Sequence, residues 1–162
     1  MREILFRGKT QNCLYQENDK WIYGYYVKQE NRHIITDTTR GCLGFGLEVN
    51  ENTVGQFTGI TDKNGKKIFE GDIIKQQTFH KLPLKYASEK EKKSHIKYLI
   101  KKCGAIFDDE EHYHKDYIWE VSFENARFYP FADDNFEWGN FDWNNPFEVI
   151  GNIHDNFDLL KE

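Results

Sequence analysis

The stretch Thr53–Lys75, TVGQFTGITDKNGKKIFEGDIIK, decides the fold. Asn64-Gly65 sits between two segments rich in β-branched and aromatic residues, and this dipeptide suits a tight type I′ turn because both central residues of such a turn need positive φ. The segment therefore reads as a β-hairpin. Gly71-Asp72 then marks a corner, since glycine tolerates backbone angles that other residues avoid and an aspartate accepts hydrogen bonds from neighbouring amides. The corner leads into a further strand at Ile73-Ile74-Lys75.

Towards the N-terminus, the polar run Gln16–Lys20 reads as a turn before Trp21-Ile22-Tyr23-Gly24-Tyr25-Tyr26-Val27. Alternation along a strand puts Trp21, Tyr23, Tyr25 and Val27 on one face and Ile22 and Tyr26 on the other, with Gly24 marking a bulge. Ile4–Arg7 reads as a first strand, and Ile34-Ile35 starts a partner strand after a turn around Asn31. The alternating glycines of Arg40–Gly46 lack both the flanking strand and helix of a dinucleotide loop and the Lys-Ser or Lys-Thr of a phosphate loop, so they read as a flexible connection.

Towards the C-terminus one helix stands out. Ser88 and Glu91 fit a capping box, Ile96, Leu99, Ile100 and Cys103 repeat at helical spacing, and Gly104 offers a stop. Strands follow at Tyr117–Phe123, at or beside Phe128–Phe131, and at Phe147–Ile153, with Asp133–Pro146 as a loop of acids, asparagines and aromatics. The chain of 162 residues is the size of a single domain, and aromatics at 16% favour half-buried strands over helices.

The formal charge of −5 is unevenly placed. Nine lysines face two acids between Lys75 and Lys102, whereas fifteen acids face only Lys115, Arg127 and Lys161 from Gly104 onward. Such asymmetry steers charged partners or aligns subunits head to tail. No apolar run reaches the roughly 20 residues that cross a bilayer, and the start MREILFR is too short and too charged for a signal peptide, so the chain is expected to stay in the cytoplasm where it is made, away from membranes. Cys13, Cys42 and Cys103 are odd in number and lack a Cys-x-x-Cys pair, which fits a reducing cytosol and suggests neither a disulfide framework nor structural zinc.

Four sets of candidate residues emerge. In a strand, His112, His114 and Asp116 point to one face, and imidazole with carboxylate suits a zinc, manganese or iron site, hence a metal-dependent enzyme as one reading. The plainer account is a polar connection after the helix. Phe136, Trp138, Phe141 and Trp143 alternate with acids, a composition suited to gripping a basic partner surface, or equally to a satellite core under a long loop. Ile96, Leu99 and Ile100 form an apolar helix stripe that docks on the body or on a second subunit. Tyr23, Tyr25, Tyr86 and Tyr98 lie near Lys28, Lys85 and Lys97, as in a small barrel that stacks bases, but the acidic total lacks a nucleic-acid footprint. No catalytic elbow, activated cysteine or cofactor motif is present, so neither a catalytic residue nor a cofactor is assigned.

REILFR (2–7), WIYGYYV (21–27), the block from Val54 to Lys75 and FEVIGNIHDNFDLL (147–160) occur in an order that resembles the YopX family of bacteriophage and prophage proteins. Residues 76 to 145 follow no such pattern. The resemblance implies a mainly β protein with a small SH3-like β-barrel core, to which the reading of the residues adds further strands or hairpins and one inserted α-helix. In this reading residues 1–162 form one unit, with an N-terminal β lobe over about 1–50 and a barrel over about 51–162 that carries a helical insert at about 81–116. The resemblance also implies a self-associating protein of a phage or prophage in the bacterial cell, with no established activity and no catalytic residues to carry over; together with the absence of catalytic motifs, this reads as an accessory protein that acts by non-catalytic binding on a host, defence or phage protein. A nucleic-acid-binding module is the alternative.

Overall fold

The computed structural model describes residues 3–12, 17–37, 46–83, 86–131 and 145–161. The described residues form a mainly β protein with a single α-helix, in antiparallel sheets. The N-terminal sheet has six strands: β1 (Phe6–Lys9), β2 (Trp21–Gln29), β3 (Arg32–Asp37), β4 (Gly46–Glu48), β5 (Gly55–Thr61) and β6 (Lys67–Phe69), ordered β4-β3-β2-β1-β5-β6. A second sheet contains β7 (Asp72–Lys81), β8 (Ile106–Phe107), β9 (His112–Glu120) and β12 (Phe147–Asn152) in the order β12-β7-β9-β8, and β10 (Ser122–Glu124) pairs with β11 (Arg127–Tyr129) as a hairpin. Helix α1 covers Glu89–Cys103.

The hairpin of the deciding stretch exists, but its turn is not type I′. A type I′ turn needs positive φ at both Asn64 and Gly65, and only Gly65 has it, at +79°. Asp62 organises the loop instead: its carbonyl accepts the Gly65 N–H at 2.9 Å, and its carboxylate accepts the N–H groups of Asn64 at 2.8 Å and Lys66 at 2.9 Å. These bonds from Asp62 to amides ahead of it shape the five-residue loop between the paired Thr61 and Lys67, in place of a two-residue turn. The bulge belongs to β5, where Gly59 has φ +89° and the register with β6 shifts, and not to Gly24. Gly24 pairs in register on both sides, and glycine is required there because a Cβ would stand 1.7 Å from the Thr36 carbonyl oxygen.

The alternation in β2 is as read, and the structure assigns the faces. Ile35 and Val49 are fully buried on the side of Ile22 and Tyr26, where Phe6 packs on Tyr26 at 5.3 Å, while Tyr23, Tyr25 and Val27 point outward. Strand β1 starts at Phe6, two residues later than the Ile4–Arg7 reading. Strand β7 runs well past Lys75 and pairs with β9 from Ile73 opposite Glu120 to Lys81 opposite His112, so α1 and β8 lie between the far ends of one long ladder. Cores form around Leu5, Phe57 and Phe69, around Ile68, Ile74 and Val121, and around Leu82, Leu99 and Ala105.

The closed SH3-like barrel is not among the strand pairings of the described residues. Its place is taken by open sheets stitched at isolated points: the Lys63 N–H donates to the Phe147 carbonyl, the Val149 N–H to the Asp62 carboxylate, and Gly71 donates to Val121 while accepting from Ile153. Single bonds of this kind fasten two sheets without continuing a ladder around them, because closure needs continuous pairing between every neighbouring strand.

Candidate binding surface

Strand pairing sets Arg7 opposite Tyr23 and Lys9 opposite Trp21, which brings two cations to the aromatic face of β2. Arg7 is buried and bonds the Asp72 carboxylate at 2.5 Å and the Glu70 carbonyl at 3.0 Å, with its guanidinium 4.6 Å from the Trp21 ring centre. The second Asp72 oxygen accepts the Phe69 N–H at 2.8 Å. Lys9 bridges to Asp155 at 2.6 Å and Asp19 at 3.0 Å, and the Trp21 indole N–H donates to Asp155 at 2.8 Å. His154 packs against Trp21, ring centres 5.7 Å apart.

These contacts shift the charges they join. The hydrogen bond from Lys9 holds the Asp155 carboxyl far below the usual range, helped by Asn152 and Trp21, and Asp155 in turn raises Lys9. Burial pushes Asp72 up, and the Arg7 charge offsets part of that push. Burial lowers His154, as do the charges of Arg7 and Lys9. The opposite charges neutralise one another, so the cluster acts as a clamp between the N-terminal strand, the Gly71-Asp72 corner and the C-terminal segment.

Beside the clamp the sheet turns apolar and open. Tyr23, Tyr25 and Val27 are 46%, 58% and 48% exposed on one face of β2, which runs between β1 and β3 in the interior of its sheet. Tyr23 also lines a groove of about 370 Å³. Leu5 and Phe69 form the apolar floor of that groove, Tyr23 packing on Phe69 at 5.4 Å, while Lys66 and the ion pair of Lys67 with Glu3 at 2.7 Å form its rim. Apolar anchors rimmed by charges are what a protein surface offers to a partner.

His112, His114 and Asp116 lie on one strand, as read, with separate partners. His112 Nδ1 is 2.8 Å from Asp109, His114 Nδ1 is 2.9 Å from Asp108, and Asp116 bonds Lys75 at 2.8 Å and Gln77 at 3.1 Å. Among the described residues no group of three or more His, Cys, Asp or Glu gathers as a metal cage. Leu99 is buried within the chain against Leu82 and Ala105, and Ile96 packs on the same cluster, whereas Ile100 is 53% exposed. Tyr86 donates to or accepts from His95 at 2.8 Å, and Tyr98 is exposed. Phe136, Trp138, Phe141 and Trp143, together with Lys85, Cys13, Cys42 and most of the Arg40–Gly46 connection, lie outside the described residues.

The family model for the YopX protein matches residues 5–161, which spans β1, the clamp and the C-terminal segment. The chain belongs to the YopX family. All four stretches that carry the YopX resemblance meet in the clamp, through Arg7, Trp21, Asp72 and Asp155. The crystal structure of protein EF1440 from Enterococcus faecalis is similar over 99% of each chain, at 23% identity and a TM-score of 0.40. No curated protein matches this YopX chain.

Proposed function

We propose that this YopX-family chain is an accessory protein of a bacteriophage or prophage that works in the host cytoplasm by binding a protein partner and catalyses no reaction. The observation that carries the reading is the exposed stripe Tyr23-Tyr25-Val27 on a strand flanked on both sides, continued by the groove over Leu5 and Phe69. A strand inside a sheet has its backbone groups paired, so its outward side chains alone offer contact, and tyrosines supply large contact area with few rotamers to fix. The partner is a host or phage protein, and self-association through the same face is part of the proposal. The lysine row of α1 belongs to a different element, which favours a protein partner over nucleic acid.

The test compares tagged natural chain with a Tyr23→Ser, Tyr25→Ser, Val27→Ser variant in capture from nuclease-treated host cells, followed by reconstitution with the purified partner. Loss of two aromatic anchors and a valine should weaken binding by about 2 kcal/mol or more, some thirtyfold. A partner held equally by both proteins would sink the assignment of this face. Binding to oligonucleotides that weakens with salt and on neutralising Lys92, Lys93, Lys97 and Lys101 would move the conclusion to a nucleic-acid module.

A further inference from the structure

The turn between β8 and β9 holds two carboxylates against two imidazoles. The Asp109 carboxylate accepts the backbone N–H groups of Glu111 and His112, each at 2.7 Å, and meets His112 Nδ1 at 2.8 Å. Asp108 meets His114 Nδ1 at 2.9 Å, and its own N–H is tied to the His112 carbonyl at 3.0 Å. An ionised carboxylate only accepts, so each neutral imidazole carries its proton on Nδ1 and presents a bare lone pair on Nε2. This is the arrangement by which outer carboxylates orient histidines for metals.

His112 and His114 are two apart on β9, opposite Lys81 and Phe79 of β7, and therefore share a face at a spacing of about 7 Å along the strand. Asp116, the next residue on that face, is held by Lys75 and Gln77 and is not offered as a ligand. Glu110 lies in the same acidic turn, Glu111 pairs with Lys81 at 3.3 Å, and the excess of carboxylates favours a cation.

We propose that His112 and His114 chelate one divalent transition-metal ion of the Cu²⁺, Ni²⁺ or Zn²⁺ class through their Nε2 atoms, with solvent completing the coordination. Imidazole nitrogens select these borderline ions over Mg²⁺ or Ca²⁺, and Cu²⁺ binds tightest of the series. The site is independent of the β2 surface, so binding there neither requires nor supports the partner reading.

Untagged protein stripped with a chelator is titrated with CuCl₂ by calorimetry, with MgCl₂ as control, and its electron paramagnetic resonance spectrum is recorded. The expected result is one saturable Cu²⁺ per chain with two coordinated nitrogens, lost in the His112→Ala, His114→Ala variant, and weakened about tenfold to a hundredfold in Asp108→Asn. Circular dichroism checks the fold of each variant, and His112→Gln, His114→Gln replaces the alanine pair if that pair misfolds. Equal binding by the natural chain and the double variant would place the ion on the other histidines and overturn the proposal, as would no saturable binding at micromolar Cu²⁺. Undiminished affinity in Asp108→Asn would overturn the orienting role of the carboxylate.

Discussion

Arg7 and Asp72 stand 65 residues apart in the chain and are buried in one ion pair. Removing one partner leaves the other charge in a site it cannot leave without unfolding the corner, so Asp72→Asn or Arg7→Met should cost about 3–5 kcal/mol, read as a lower urea midpoint. Changing both together should cost less than the two separate losses combined. Asp155 predicts a pH effect. Its folded carboxyl titrates below its unfolded value of about 3.9, so its contribution is fully present above that pH and disappears as pH falls through the folded value. The stability gap between the natural chain and Asp155→Asn should therefore be full at pH 7 and close in strong acid. Equal gaps at both ends of an acid titration would show that the charge is not what matters at this position.

At the scale of elements, local signals were legible and remote ones were not. The Ser88 hydroxyl accepts the Glu91 N–H at 3.2 Å and Gly104 ends α1 at φ +65°, as the spacing predicts, because caps depend on residues within one turn. The Glu91 carboxylate takes the Ala87 N–H at 2.8 Å, one residue before the position a capping box assigns to it. By contrast, the long β7–β9 ladder spans an intervening helix, and no short window of sequence reveals which strands will meet. The partners of His112 and His114 lie only three and six residues away, yet it takes the backbone path of the β8–β9 turn to show that Asp109 and Asp108 hold the two imidazoles. The helix also supplies a prediction. Leu99 is 6% exposed and packs within the chain, so Leu99→Asp should abolish cooperative unfolding in circular dichroism, whereas Ile100→Asp should leave a folded protein. If Ile100→Asp also lowers the sedimenting mass, the exposed part of this stripe joins subunits.

Across the whole molecule, the C-terminal segment closes on the first strands. Lys9 and Trp21 both bond Asp155, His154 packs on Trp21, and Ile153 donates to the Gly71 carbonyl of the corner. The fold is therefore expected to respond to loss of this segment as a unit. Ending the chain after Asn152 removes the nearer of the two counter-charges of a largely buried Lys9, the acceptor of the Trp21 indole and the bond to Gly71 in one step, leaving Lys9 only Asp19. Asp155→Asn removes the charge but keeps an oxygen for the indole, and leaves Ile153 in place. Urea unfolding followed by tryptophan fluorescence and circular dichroism should thus show a modest midpoint shift for Asp155→Asn and loss of the cooperative transition for the truncated chain. Were the truncated chain to unfold cooperatively at the midpoint of the point variant, the clamp would reduce to the single Lys9–Asp155 pair, and the meeting of the YopX stretches would be a matter of one contact.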